Sequence, residues 1–481
     1  MILIGCSKND DGESDKPNNN GNEQPENPNE PKLPELPALP DPDDVCSVMD
    51  DLNFMAYCYE NFDVNKDGKV SVIEANAAKE IYTTSSKWVS VKGIERFPNI
   101  EILSLNGSSI TELDLRYNLK LKSLSCQDHQ LTTVLLPNTL TSIGGSAFSG
   151  CSSLTEINLP ASLTSIGEGT FWSCSSLTEI NLPDNLTSIG EYTFYSCFNL
   201  TKIQFPANLA SIGRSAFSGC SSLTEINLPA NLTSIEEFAF SGCSNLTGID
   251  LPASLTSIGW GAFSGCSSLT EITFPDNLTS IRTEAFSGCS SLTEIDLPAS
   301  LIWIGRSAFS GCSSLTEIYL PASLTSIGVD AFYGCSSLTE INLPANLTSI
   351  EESAFSGCSS LTEINLPVSL TSIRESVFRG CSSLTEINLP DNLIWIGESA
   401  FESCSSLTEI NLPANLTSIE ESAFSGCSSL TKVTCHALVP PKLNGFSDGT
   451  IENLYVPAES IQAYKDSSLW ANNFKNILPI E

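Results

Sequence analysis

A 23-residue unit is repeated thirteen times between residues 137 and 435, and it constrains the fold more than any other feature of the chain. A proline recurs every 23 residues from Pro137 to Pro413, and a cysteine recurs at the same interval from Cys151 to Cys427. A fixed period of this length is the signature of a solenoid, in which one unit stacks on the next and none buries its apolar side alone. Such a chain is expected to present a long surface rather than an enclosed pocket.

Each unit carries the pattern of one short strand. Apolar and polar residues alternate over 156–159, which predicts a strand with one buried face. Pro160 then ends the strand because proline has no N–H for the ladder. Residues 146–149 predict a single helical turn on the opposite side of the unit. We therefore predict a β-rich solenoid, a leucine-rich repeat array whose stacked 23-residue turns contribute parallel short strands.

The repeated motif also resembles a known family. Residues 140–160 read Leu-Thr-Ser-Ile-Gly-x-x-Ala-Phe-x-x-Cys-x-x-Leu-Thr-x-Ile-x-Leu-Pro, which is similar to the BspA-like leucine-rich repeat family of surface proteins. The resemblance extends over the whole repeat block. It implies a cell-surface protein used for adhesion or for binding host or microbial ligands, and it does not imply one particular ligand.

The N-terminal segments predict an anchor and a spacer. Leu3-Ile4-Gly5-Cys6 resembles a bacterial lipobox, so residues 1–6 are interpreted as the remnant of a lipoprotein signal, with Cys6 as the lipidation site. A chance tetrapeptide is the alternative. Residues 7–45 are rich in proline, asparagine and acidic residues, which predicts a disordered tether. Together they predict a protein attached to the outer membrane only through its N-terminal lipid and exposed at the cell surface.

Residues 46–85 predict a helix-loop-helix cap that holds a calcium ion. The loop over 63–74 matches the twelve-residue EF-hand loop, with a glycine, Gly68, at its sharp turn. The alternative is a cap of the same shape that holds no ion. The predicted ligands are Asp63, Asn65, Asp67, Lys69 through its backbone carbonyl, Ser71 and Glu74.

Two further segments flank the array. Residues 86–136 are leucine-rich but irregular, and they predict divergent turns that lead into the repeats. Residues 436–481 depart from the period, and their amphipathic stretch from Ile461 to Phe474 predicts a C-terminal cap, as an open solenoid end requires.

Charge and composition exclude several classes of function. The net charge of −34 excludes an electrostatic grip on nucleic acid and disfavours binding to anionic lipid. No apolar run approaches the ~20 residues of a membrane-spanning helix. The chain has two histidines, and no nucleophile–base pair, phosphate loop or zinc spacing occurs, so we predict that it is not an enzyme.

The cysteines are predicted to be structural. Thirteen of the eighteen lie in register within the repeats, where their Cβ vectors would run parallel, whereas bonded cysteines converge. We interpret this ladder as small buried apolar residues. Cys46 and Cys58 lie outside the ladder, and whether they form a disulfide stays open at this stage.

Candidate ligand-binding residues are found where the exposed positions carry charge or depart from the repeat. A glutamate recurs on the exposed side of the strand, and it is either a docking surface or a copy of one tolerated residue made by duplication. Aromatic residues that break the consensus are candidate interface anchors, although single exposed aromatics are common. The candidates are Glu317, Tyr319, Glu340, Asn342, Trp303, Trp395 and Trp260.

These observations favour a monomeric, lipid-anchored bacterial surface protein that binds a protein or glycan ligand through its solenoid. One alternative is a glycan-binding accessory lipoprotein of a polysaccharide-uptake system. The other is a structural spacer at the cell surface.

Overall fold

The computed structural model describes residues 33–83, 87–127, 130–446 and 450–480. Cys6 and residues 7–32 of the predicted tether lie outside the described residues. The chain divides into two compact units, Met1–Ala38 and Leu39–Glu481. Of the first unit, residues 33–38 are described and have irregular backbone. All regular elements described below belong to the second unit.

The second unit is a parallel β-solenoid of about 17 turns, which confirms the predicted fold class. Most turns place a strand in each of two rows and a chain reversal on the third side. The first strand row carries the Glu-Ile-Asn segment of the repeat. Its strands are Glu112–Asp114, Thr133–Leu135, Glu179–Asn181, Lys202–Gln204, Gly248–Asp250, Glu271–Thr273, Glu294–Asp296, Glu317–Tyr319, Glu340–Asn342, Glu363–Asn365, Glu409–Leu412, Lys432–Cys435, Ile451–Val456 and Phe474–Pro479.

The second strand row carries the Ser-Ile segment of the repeat. Adjacent strands are parallel and shifted by one repeat, so that Trp303 pairs with Ser280 on one side and with Ser326 on the other. Its strands are Glu80–Tyr82, Ile102–Ser104, Ser123–Ser125, Ser142–Ile143, Ser165–Ile166, Ser188–Ile189, Ser211–Ile212, Ser234–Ile235, Ser257–Ile258, Ser280–Ile281, Trp303–Ile304, Ser326–Ile327, Ser349–Ile350, Ser372–Ile373, Trp395–Ile396, Ser418–Ile419 and Lys442–Leu443.

The third side, which we call the turn row, consists of residues 145–150 and their counterparts in later repeats. Its structure differs from the predicted helical turn. Residues 146–149 form consecutive tight turns rather than a helical turn. The N–H groups of Ser146, Phe148 and Gly150 donate at 2.7–2.8 Å to backbone carbonyls of the following turn. A helix would use these donors within its own segment. Ser146 has a φ of 56° and Gly150 a φ of 76°, which turns the chain twice.

Identical side chains stack on one another to form the core. Phe148 and its counterparts up to Phe424 are buried, with ring centroids 5.2–5.9 Å apart between turns and interplanar angles of 2–16°. Leucine and isoleucine of every repeat surround this ladder. Burying one such aromatic side chain contributes about 2–3 kcal/mol, so the array gains a similar increment with each turn.

The repeat cysteines are buried, as predicted. Each thiol from Cys174 to Cys427 donates a hydrogen bond to a phenylalanine carbonyl of the preceding turn, at 3.1–3.3 Å. Burial raises the pKa of these thiols, to about 12 for Cys197. They therefore stay protonated and act as small core residues that satisfy a backbone acceptor.

Short helices close the N-terminal end of the solenoid. The 3₁₀ helix Val45–Val48 precedes the α-helices Leu52–Phe62 and Val72–Ala77, and a second 3₁₀ helix spans Ile94–Arg96. Asp41 pairs with Lys69 at 2.9 Å. Asp44 is buried and accepts hydrogen bonds from this cap. The cap therefore begins closer to the N-terminus than the predicted boundary at residue 46.

The C-terminal end is closed by a 3₁₀ helix, two α-helices and a final strand. The helices span Ala458–Ser460, Ile461–Asp466 and Ser468–Asn473, and the strand Phe474–Pro479 extends the first strand row. Trp470 is fully buried, and its indole N–H donates to the carbonyl of Pro441 at 2.9 Å. Among the described residues, no helix has the length and apolar character needed to cross a membrane.

Candidate functional site

The predicted calcium loop folds as a tight, internally hydrogen-bonded turn between the two α-helices of the cap. Asp63 accepts hydrogen bonds from the N–H groups of Asp67 and Gly68 at 3.2 and 2.9 Å. Asn65 accepts one from the N–H of Asp67 at 2.8 Å. Gly68 has a φ of 83°, a conformation that a side chain would strain. The side-chain oxygens of positions 1 and 3 therefore meet at one donor, the N–H of Asp67.

Glu74 closes the loop from the other end. One carboxylate oxygen accepts from the N–H of Val64 at 2.9 Å, and the other accepts from the N–H and hydroxyl groups of Ser71 at 2.9 and 2.8 Å. The Ser71 donors lower the pKa of Glu74. Lys69 points its ammonium group at Asp41, which leaves its carbonyl as the only group it could offer to an ion. This set of oxygen donors fits a hard cation.

The described residues contain no group of three or more carboxylate, imidazole or thiolate side chains arranged around a common metal position. In the loop, the carboxylates of Asp63 and Glu74 accept hydrogen bonds from loop N–H groups. Calcium binding would require Glu74 to exchange its bonds with Val64 and Ser71 for the ion, and it stays a prediction.

Four of the predicted ligand-binding residues lie together on the first strand row. Glu317 and Tyr319 extend from one strand, and the Tyr319 hydroxyl donates to the Glu317 carboxylate, which raises the pKa of the phenol. Glu340 and Asn342 occupy the same positions one turn later, and the Asn342 amide donates to Glu340 at 3.1 Å. All four side chains are exposed because alternate strand residues point out of the sheet.

The three tryptophans do not join this group. Trp303 and Trp395 lie in the second strand row, four turns apart, and Trp260 lies in the turn row. Trp303 and Trp260 are exposed, whereas Trp395 is half-buried. The seven predicted residues are therefore distributed over three sides of the solenoid and do not form one site.

Trp395 borders an acidic groove that extends over the last turns of the array. Its indole N–H donates to Glu420 at 3.2 Å, and the Asn444 amide donates to the other oxygen of the same carboxylate. Burial alone would raise the pKa of Glu420, but these donors outweigh it and lower the pKa. The groove has a volume of about 420 Å³. Its lining residues are Glu352, Arg374, Glu375, Trp395, Glu398, Glu420, Glu421 and Asn444.

The structure also reveals an aromatic cluster that was not predicted. Trp172 stacks on Tyr192, with centroids 5.6 Å apart and planes inclined by 22°, and it contacts Tyr195 at 5.2 Å. The two tyrosine rings lie 6.0 Å apart. The signal was present in the sequence, because all three residues replace a consensus serine or glycine of the turn row.

Comparison with known proteins identifies the family to which the repeats are similar. A family model described as BspA type leucine rich repeat region matches residues 119–247, 233–362 and 325–441. A solved leucine-rich repeat protein from Bacteroides ovatus is 35% identical, with a TM-score of 0.62, and the match covers 71% of this chain and 88% of that protein.

Two more distant solved structures are a leucine rich cell surface protein from Faecalibacterium prausnitzii and a leucine-rich repeat protein from Eubacterium ventriosum. They are 28% and 21% identical, with TM-scores of 0.43 and 0.44. The matches cover 71% and 68% of this chain and 87% and 88% of theirs. A search among curated proteins found no match.

Proposed function

Because the chain belongs to the BspA-type leucine-rich repeat family, we propose that it is a lipid-anchored bacterial cell-surface protein whose solenoid binds a protein ligand. Leucine-rich repeat proteins generally bind protein ligands and are typically non-enzymatic scaffolds. This general property supports the proposal, and the surface of the first strand row supports a particular place for the ligand.

The observation that carries the proposal is the continuous acidic face of the first strand row. A glutamate stands at the same exposed position in seven consecutive turns, with Tyr319 beside the third of them. Tyr319 is 50% exposed. Aromatic anchors surrounded by charge are typical of binding surfaces, and a carboxylate row favours a basic partner. The seven residues are Glu271, Glu294, Glu317, Glu340, Glu363, Glu386 and Glu409.

A binding screen tests this proposal. The full chain, immobilised through its C-terminus, is exposed to extracellular-matrix proteins of a host and to surface proteins of other bacteria. A basic ligand should bind faster at low salt, because screening shortens the reach of exposed charges. The paired change Glu317→Gln and Tyr319→Asn should weaken binding at least tenfold.

The matched control for that pair is Tyr333→Ser, which removes an equally exposed aromatic from the turn row. Equal loss of binding in both variants would argue against the first strand row as the docking face. A chain that binds none of the proteins offered would leave the spacer function as the better description.

The lipid anchor is proposed on separate grounds, namely the lipobox resemblance of Leu3-Ile4-Gly5-Cys6. With a complete signal peptide supplied, the protein is expected in the membrane fraction, and mass spectrometry is expected to find diacylglycerol and an acyl chain on Cys6. The change Cys6→Ser should release the protein from that fraction. An unmodified Cys6 with unchanged fractionation would contradict the proposal without affecting the binding surface.

A further inference from the structure

The aromatic cluster on the turn row interrupts the repeated surface, because three aromatic residues on two adjacent turns replace consensus residues. Trp172, Tyr192 and Tyr195 lie on two adjacent turns and contact one another through their rings. Trp172 is 41% exposed, and its ring packs over Gly169. In the next turn the corresponding positions are Ser215 and Ser218. The array therefore folds without these rings, and core packing does not account for them.

Tyr192 is held in an unusual backbone conformation. Its φ is 53°, a left-handed value that is rare for a bulky residue. The conformation is imposed by the solenoid, because the N–H of Tyr192 donates to the carbonyl of Arg214 at 2.8 Å and its own carbonyl accepts from Tyr195 at 3.1 Å. These bonds fix the direction in which the ring leaves the backbone. The cluster is thus a rigid surface whose rings need little ordering when a ligand binds.

The aromatic character continues along the same side of the solenoid. Phe238 occupies the position of Tyr192 two turns later, with a φ of 55°, and its ring covers Gly261. Trp260 precedes that glycine and is 50% exposed. We call the five residues Trp172, Tyr192, Tyr195, Phe238 and Trp260 the aromatic stripe. At one turn per ~4.8 Å, it extends over roughly 19 Å along the stack.

Polar residues lie next to the stripe, each directly before a turn-row residue with positive φ, namely Tyr192, Ser215 or Phe238. Glu191, Arg214 and Glu237 alternate in charge, and the Arg214 guanidinium lies 3.8 Å from the Glu237 carboxylate. These groups can donate to and accept from hydroxyls. From residue 168 to residue 261, a stretch that is described throughout, the large exposed hydrophobic side chains are Trp172, Phe198 and Trp260. All three are aromatic, and Trp172 and Trp260 belong to the turn row, which therefore offers exposed rings here without exposed aliphatic side chains.

We propose that the aromatic stripe is a binding site for a neutral glycan chain that lies along the stack. The C–H faces of sugar rings pack on the exposed indole rings of Trp172 and Trp260 and on the half-buried phenol rings of Tyr192 and Tyr195, while Glu191 and Arg214 bond to sugar hydroxyls. The rings are distributed along the direction of the stack, with only the turn of Ser215 and Ser218 carrying none, so the surface suits a linear ligand. The net charge of −34 disfavours an acidic polysaccharide. This site lies on a different side from the proposed protein-binding strand row, and it goes beyond that function.

The test is affinity electrophoresis of the full chain in native gels that contain soluble β-glucan, xylan or mannan, with polygalacturonate as the charged polysaccharide. The combined variant Trp172→Ser, Tyr192→Ser and Tyr195→Ser gives each position the consensus serine of its turn-row column, as found at Ser215 and Ser218. Its fold is checked by circular dichroism. The control variant Trp303→Ser, Trp395→Ser and Tyr319→Asn restores the consensus on the other two sides.

At least one neutral polysaccharide is expected to retard the wild-type chain and the control variant. The aromatic-stripe variant should show a dissociation constant at least tenfold higher. The proposal is overturned if no neutral polysaccharide retards the chain, if polygalacturonate alone does so, or if both variants lose binding equally. If the stripe variant instead loses a protein ligand found in the screen, the site belongs to that protein. Failure here leaves the strand-row proposal intact, because Glu317 and Tyr319 are untouched in the stripe variant.

Discussion

The N-terminal cap and the repeat array are stabilised in different ways. In the cap, a single polar side chain can accept hydrogen bonds from two separate segments of the chain. The carboxylate of Asp51 accepts from Asn53 and Phe54 at the start of a helix with one oxygen, and from Val89 and Ser90 with the other. In the array, the same modest contacts recur in every turn. Stability is therefore concentrated in the cap and distributed in the array, as expected for nearest-neighbour stacking.

The comparison indicates in which region a bound ligand would change the stability of the fold most. A calcium ion bound at residues 63–74 would act on a region that depends on a few bonds. A ligand on the strand row would act on a region that tolerates the loss of any one surface group. Four predictions sharpen or break this contrast.

The largest effect is expected from a hole in the array. Phe286→Ala removes a ring that stacks on Phe263 at 5.5 Å and on Phe309 at 5.6 Å. It should cost about 3–5 kcal/mol, the usual range for a buried phenylalanine. Hydrogen exchange should show the loss in the flanking turns while the cap stays protected. Phe286→Leu is the control and should cost less. Equal deprotection along the whole chain would show that the array unfolds as one unit.

Calcium should stabilise the cap and leave the array unchanged. At a free concentration one hundred times its dissociation constant, the ion adds about 2.7 kcal/mol to the folded state. The change Asp67→Ala should abolish the gain, whereas Asp184→Ala, an exposed acid of the array, should preserve it. Titration calorimetry and cap-resolved hydrogen exchange measure both. Absence of binding heat at millimolar calcium would leave the loop as a purely structural turn.

Asp51→Asn should destabilise the cap by about 1–2 kcal/mol, since the new amide can still cap the helix but cannot accept from Val89 and Ser90. Burial would raise the pKa of Asp51, yet the four N–H donors outweigh it and lower the pKa. Its contribution is therefore present above the unfolded pKa of about 3.9 and is lost as pH falls through the lower folded pKa. Urea unfolding between pH 2 and pH 6 measures this. The variant should lose that acid-sensitive component, and an unchanged pH profile would contradict the assignment.

The smallest effect is expected on the acidic row. Glu363→Gln relieves repulsion from Glu340 and should raise stability by a few tenths of a kcal/mol at low salt. The gain should vanish in 1 M salt, where the screening length is about 3 Å. Glu409→Gln is the matched control, because Glu409 pairs with Lys432 at 3.0 Å and should lose rather than gain stability. Thermal unfolding of both variants decides whether the row is strained.

The array was predictable because its information is local and repeated. The burial of isoleucine, phenylalanine and cysteine follows from positions that recur every 23 residues, so one register explains thirteen turns. The loop of the cap was visible in sequence because its ligand positions have fixed spacing. Whether it binds calcium depends on how Glu74 divides its bonds between Ser71 and an ion, which spacing does not determine.

The turn row was mispredicted for a physical reason. Ser146-Ala147-Phe148-Ser149 has the local character of a helical turn, but its alternate N–H groups bond to the following turn of the stack. Local propensity has no access to an acceptor that stacking supplies. The grouping of side chains was limited in the same way. Substitutions that break the consensus identify candidate residues. They do not show which candidates lie on the same side of the solenoid, because that depends on the position of each residue within its turn.

Because of the hydrogen bonds of the turn row, the array can become longer or shorter by whole 23-residue units. Each turn passes the N–H groups of Ser146, Phe148, Gly150 or their counterparts to the turn that follows, and it receives the equivalent bonds from the turn before. Deleting or duplicating one 23-residue unit would therefore leave the bonding of all remaining units unchanged. Recombination between near-identical copies can alter the length of the solenoid, and can move the aromatic stripe relative to the C-terminal end, without any new packing having to evolve.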